Sequence, residues 1–88
     1  MEVVYTKIAK SHLKYWKESG QKKVQQRIQQ LINSIEKTPF EGIGKPEELK
    51  HNWAGFWSRE ITKKDRLIYT VGANIVTVYS LKTHYFDK

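Results

Sequence analysis

The sequence predicts a single α+β domain. An N-terminal strand and two helices pack on one face of a small antiparallel sheet that ends in a three-stranded meander. Three observations predict this. Val24, Ile28, Leu31, Ile32 and Ile35 fall at i, i+4, i+7, i+8 and i+11, one face of a 3.6-residue period. Residues 55–61, 66–71 and 75–81 form three runs rich in β-branched and aromatic side chains, bounded by short polar or glycine-bearing turns. A chain of 88 residues holds one core, so the domain spans residues 1–88.

Each element has a local reason. Val3-Val4-Tyr5 is a short apolar strand. Thr6 is a helix N-cap, and Ile8, Leu13 and Trp16 give the following helix a rough apolar stripe, with lysines at 7, 10, 14 and 17 toward water. His12 lies on this helix and is expected at the surface. Gly20 ends the helix. The second helix carries the periodic stripe on one side and Lys, Gln and Arg on the other. It stops at Thr38-Pro39, because the residue before proline is pushed out of the helical region. Residues 39–53 read as a long loop, which in a small domain is usually functional; Phe40, Leu49 and Trp53 offer it anchors in the core. Thr62-Lys63-Lys64-Asp65 joins the first two meander strands, and Gly72-Ala73-Asn74 joins the last two as a hairpin. The face of the sheet away from the helices is expected to be open, and an open face on a basic sheet is where a ligand would sit.

Composition narrows the classes. The 16 Lys and Arg against nine Asp and Glu give a net charge of +7, suited to phosphates or to an acidic protein partner. Thirteen of the 16 cations are lysine, which serves solubility as well as backbone contact. There is no cysteine, so disulfides and thiolate metal sites are excluded, which fits a reducing cytoplasm. No apolar run reaches the length of a membrane span, and the N-terminus does not read as a signal peptide, so the expectation is a cytoplasmic protein with no membrane partner. There is no His-x-x-x-His, no carboxylate cluster and no phosphate-binding glycine loop; neither metal nor cofactor is expected.

What remains is a set of side chains able to cut RNA without a metal. In that reaction the 2′-hydroxyl attacks the neighbouring phosphate. A base takes its proton, cationic donors stabilise charge on phosphorus, and an acid protonates the departing 5′-oxygen. Glu47 is a carboxylate stiffened by Pro46 and flanked by Lys45 and Lys50; alone it reads as a solvated loop residue. Arg66 opens the second meander strand with a fork suited to phosphate, and Arg59 on the preceding strand is a second phosphate candidate. His84 titrates near neutrality and serves as acid or base. Tyr85 can stack on a base or orient the phosphate. His51 is placed to touch backbone phosphate.

These residues resemble a known family. The segment Thr38-Pro39-Phe40-Glu41-Gly42-Ile43-Gly44-Lys45-Pro46-Glu47-Glu48-Leu49-Lys50-His51-Asn52 resembles the signature loop of the YoeB toxins, within the RelE superfamily of toxin–antitoxin ribonucleases. Tyr15-Trp16, Gly55-Phe56-Trp57-Ser58-Arg59, Arg66-Leu67-Ile68-Tyr69 and His84-Tyr85 continue the match in order. The resemblance implies a RelE-like fold and a toxin that enters the ribosomal A site and cleaves mRNA during translation without a metal. It also implies a cognate YefM-like antitoxin whose flexible acidic segment covers the site, and an ability to form a homodimer. By position, Glu47 matches the family's general base, Arg66 its transition-state arginine, His84 its general acid and Tyr85 its substrate-placing tyrosine. Lys45, beside them in the loop, joins Lys50, His51 and Arg59 as RNA-binding or supporting positions. Two departures stand. Glu60 occupies a position where relatives commonly carry a second arginine, and Phe86-Asp87-Lys88 follows the tyrosine at which relatives commonly end. The alternative is a toxin of the same fold that poisons DNA gyrase without cutting RNA; a pure binding protein has no reason to assemble Glu47, Arg66, His84 and Tyr85.

Overall fold

A computed structural model describes residues 1–82 of the chain. Along it run strand β1 (Glu2–Tyr5), helices α1 (Lys7–Ser19) and α2 (Lys22–Lys37), the short strand β2 (Glu47–Glu48), a 3-10 turn at His51–Trp53, and strands β3 (Trp57–Glu60), β4 (Arg66–Gly72) and β5 (Ile75–Ser80).

Thr6 starts α1 by accepting from the Ala9 N–H at 3.1 Å, a cap contributing about 1 kcal/mol. Its hydroxyl also donates to the Tyr79 carbonyl at 3.2 Å, so the same residue braces β5. Gly20 closes α1 in the left-handed conformation. The buried stripe of α1 is Ala9, Leu13 and Trp16, at i, i+4 and i+7. Ile8, expected in that stripe, is 55% exposed, because it lies one residue, about 100° of helix, off that line. His12, expected at the surface, is half-buried on the same side of α1, one turn from Trp16. In α2 the predicted face is the buried one: Ile28, Leu31, Ile32 and Ile35.

The sheet has the order β1-β5-β4-β3-β2. The predicted meander is there, β3 antiparallel to β4 and β4 to β5. The sheet as a whole is mixed rather than antiparallel, since β1 runs parallel to β5 with Val3 opposite Val76. The helices and the meander intervene between these two strands, and that long connection lets them end side by side pointing the same way. Nor is segment 39–53 purely loop. It contributes the edge strand β2, with Glu47 opposite Ser58 and Glu48 opposite Trp57. One bulge interrupts β5: Tyr69 pairs with Val78 but Ile68 with Ser80, leaving Tyr79 as the extra residue.

The core lies between helices and sheet. Ala9, Trp16, Ile28, Leu31, Ile32 and Ile35 meet Ile61, Leu67, Tyr69, Val76, Val78 and Leu81, each fully buried aliphatic contributing about 1.5–3 kcal/mol. The second face is less open than expected. Ser58, Ile68 and Ser80 are buried on it, and Trp53, Phe56 and Tyr79 form an edge-to-face row with centroids 5.2 and 5.0 Å apart. Charged side chains collect instead at one end of that face. No described helix is long and apolar enough to cross a membrane.

Candidate active site

Alternation along β3 and β4 sorts the two arginines. Side chains directly opposite each other share a face. Arg59 opposes Leu67 of the core, so it points toward the helices, whereas Arg66 opposes Glu60 and points the other way, as do Ser58 and Ile68.

Arg66 is held firmly. Its side chain is 14% exposed, and Nε donates to the hydroxyl of buried Ser58 at 2.9 Å. One Nη of its fork reaches the Lys45 carbonyl at 3.5 Å and lies 3.7 Å from Glu47 Oε1. Glu47 comes there because β2 pairs with β3, placing it opposite the same Ser58 that orients Arg66. Its carboxylate is 64% exposed, so the ion pair contributes under about 1 kcal/mol to stability; its value is placement. Lys45 stands beside them with φ 52°. Its ammonium is 3.8 Å from Glu60. Charges therefore alternate around this end of the sheet: Glu47, Arg66, Glu60, Lys45. Lys50 and His51 are exposed further along, at and just before the 3-10 turn, outside this set of contacts among the described residues.

Arg59 is not at the surface at all, which corrects its expected contact with phosphate. It is 0% exposed, and each of its five N–H donors has an acceptor. Nε donates to Tyr69 Oη at 3.1 Å. Nη1 donates to Ser34 Oγ at 2.8 Å and the Ile43 carbonyl at 3.1 Å. Nη2 donates to the carbonyls of Thr38 at 2.8 Å and Glu41 at 2.9 Å. Tyr69 Oη in turn donates a hydrogen bond to the Pro39 carbonyl at 2.7 Å. Burial pushes the Tyr69 phenol above its ordinary pKa, with Arg59 pulling the other way. The loop is thus wrapped around a buried guanidinium and emerges at Lys45 and Glu47. Gly44 completes the wrap: its carbonyl accepts from the Glu60 N–H at 2.7 Å, and at φ 84° a Cβ there would meet Leu31 at 2.5 Å. Of the apolar anchors expected for this loop, Leu49 is buried, while Phe40 is exposed against Trp57, with centroids 4.9 Å apart. The polar anchor had no signal in the sequence beyond the parity of Arg59 with Leu67, which only the strand register supplies.

His84 and Tyr85 lie outside the described residues. The described part of β5 runs antiparallel to β4 with Ser80 opposite Ile68, so its C-terminal end lies beside the end of β4 that carries Arg66. Among the described residues no three His, Asp or Glu side chains converge as metal ligands. Chemically, the assembled part is an oriented guanidinium fork able to grip a phosphate and, beside it, an exposed carboxylate able to accept a proton.

Comparison with known proteins places this arrangement. Residues 5–85 match the family described as the YoeB-like toxin of bacterial type II toxin–antitoxin systems. The chain is 40% identical to Toxin YoeB of Escherichia coli strain K12 over 85 residues, covering 97% of this chain and 100% of that one. Among solved structures it superposes on a YoeB/ParE toxin from Agrobacterium tumefaciens with a TM-score of 0.89 and 34% identity, covering 97% of this chain and 100% of that one. It superposes equally fully on the toxin of the heterotetrameric YoeB–YefM toxin–antitoxin complex from Staphylococcus aureus, with a TM-score of 0.86, 38% identity and coverage of 97% and 98%. The Staphylococcus aureus YoeB dimer gives the same TM-score, 0.86. A match running through the Arg59 loop, the Glu47–Arg66 pair and the end of the sheet, at this identity and over nearly the whole chain, has one reading: the protein belongs to the YoeB-like toxins of bacterial type II toxin–antitoxin systems.

Proposed function

We propose that this toxin is a metal-independent endoribonuclease that cleaves mRNA in the ribosomal A site and so blocks translation. The observation that carries the reading is the pairing of Glu47 with Arg66, 3.7 Å apart on an exposed end of the sheet, both positioned by Ser58. Glu47 takes the proton of the 2′-hydroxyl, which attacks phosphorus. Arg66 stabilises the charge on the pentavalent phosphorane, and His84 protonates the 5′-oxygen as the P–O5′ bond breaks. The products are a 2′,3′-cyclic phosphate (opening later to the 3′-phosphate) and a 5′-hydroxyl. Tyr85 places the substrate, and Lys45, Lys50 and His51 contact the RNA backbone. Arg59 supports the loop.

The site acts in the cytoplasm, where ribosomes are. Its inhibitor is a YefM-like antitoxin, supported by the Staphylococcus aureus complex and by the net charge of +7, which favours an acidic partner. A homodimer is supported by the Staphylococcus aureus YoeB dimer.

The test is cleavage of a defined mRNA by purified protein, with and without programmed ribosomes in magnesium, and on free RNA in EDTA, with ends mapped. A ribosome-dependent cut leaving a 5′-hydroxyl, slowed by two to four orders of magnitude in His84→Gln, is the expected result, that factor being the usual scale of a general acid. No cut in any arm overturns the reading, and near-normal rates in His84→Gln remove that residue from the mechanism.

A further inference from the structure

Leu81 stands one residue past β5, and α1 holds its backbone on both sides. Trp16 Nε1 donates to the Leu81 carbonyl at 2.8 Å, and the Leu81 N–H donates to His12 Nδ1 at 3.0 Å. His12 and Trp16 are four residues apart, neighbours on one helix face. Two side chains thus do for Leu81 what an adjacent strand does within a ladder. The neighbouring residue is tied to the same helix, with Lys82 Nζ 4.4 Å over the Tyr15 ring.

His12 makes its bond only as a neutral imidazole. A backbone N–H can only donate, so Nδ1 must present its lone pair and Nε2 must carry the proton. An imidazolium has no lone pair, and protonation would set a ring N–H against the Leu81 N–H. The groups facing the ring are Lys82, which disfavours a second positive charge, and Asp65 in the turn between β3 and β4, which favours one. Burial and Lys82 together outweigh Asp65, holding the imidazole below its ordinary pKa.

We propose that His12 is a positioning residue for the end of β5: neutral, it fixes the chain at Leu81 beside the Arg66 end of the sheet, and protonated, it lets that anchor go. The inference rests on the function proposed above, in which cleavage takes place at that end of the sheet.

Two variants test it in the full chain. His12→Asn places a non-titrating carbonyl oxygen near the position of Nδ1, whereas His12→Leu fills the space without an acceptor. Hydrogen exchange of the Leu81 amide, expressed as protection over the intrinsic rate, is followed by NMR from pH 8 to pH 5. In the unsubstituted chain protection falls as the pH drops below about 6.5, the pKa of free histidine. His12→Asn is protected with no such fall, and His12→Leu is about tenfold less protected than the unsubstituted chain at pH 8, the scale of one hydrogen bond, with no further fall toward pH 5. Ribosome-dependent cleavage follows the same pattern: His12→Leu lowers kcat with little change in KM, and His12→Asn restores it. Leu81 protection in His12→Leu equal to that of the unsubstituted chain overturns the inference whatever the activity. Altered protection with unaltered cleavage, in a protein that His84→Gln inactivates, overturns the positioning role. The His84→Gln rate itself separately reads the proposed function.

Discussion

Arg59 and Arg66 illustrate how one residue of parity divides structure from chemistry. Both were candidates for phosphate, and both carry the same group. Arg66 lies across from Glu60 and keeps a partly free fork at the surface; Arg59 lies across from Leu67 and spends all five donors inside. Its acceptors are neutral, three of them loop carbonyls, so its removal strands them rather than freeing a countercharge. Arg59→Met is therefore expected to cost about 2–4 kcal/mol, the scale of several buried acceptors losing their donors, read as a shift of the denaturation midpoint. Arg59→Lys should recover little of this, because an ammonium cannot reproduce the planar fork. A midpoint unchanged in Arg59→Met would show that the loop is held by other means.

At the scale of elements, the loop between α2 and β3 delivers Glu47 to Arg66, and it is ordered by close approach rather than by apolar burial. Gly44 sits against Leu31 of α2 on one side and Arg59 Cβ on the other, with φ positive. Gly44→Ala is expected to destabilise the fold by about 1–3 kcal/mol, through overpacking and strain at a left-handed position. It should also lower cleavage beyond that loss, since Glu47 begins β2 three residues later. Thermal unfolding and cleavage rates at a temperature where the variant is fully folded separate the two effects. Equal rates per folded molecule would mean that β2 pairing alone places Glu47.

At the scale of the molecule, a net charge of +7 creates a positive field, which in the proposed function is what RNA meets first. The cations at or near the site are Lys45, Lys50 and Arg66, and Glu60 draws on Lys45 at 3.8 Å. For about three to four phosphate contacts on single-stranded RNA, log affinity should fall with log salt at a slope of about −2 to −3. Binding of an uncleavable 2′-O-methyl oligonucleotide across a salt series measures it. Lys50→Ala should make the slope shallower by about 0.7, and no change would take Lys50 out of the interface.

The sequence by itself determined the class of fold, the buried face of α2, the meander and the family, because those depend on short-range periodicity, turn chemistry and residue order. Val24 to Ile35 needs only its own spacing to define a buried stripe, and Thr6 and Gly20 need only their own conformations to bound a helix. Tertiary structure decided what depends on partners far along the chain. The parallel pairing of β1 with β5, the two-residue strand that brings Glu47 to Arg66, the burial of Arg59 and the turn of His12 toward Leu81 all join residues that lie well apart along the chain. A polar side chain is read as exposed until its hydrogen-bond partners are known, and three of the five acceptors of Arg59 and the donor to His12 are backbone groups, whose chemistry is the same at nearly every position. Only the fold says which of them come within hydrogen-bond reach.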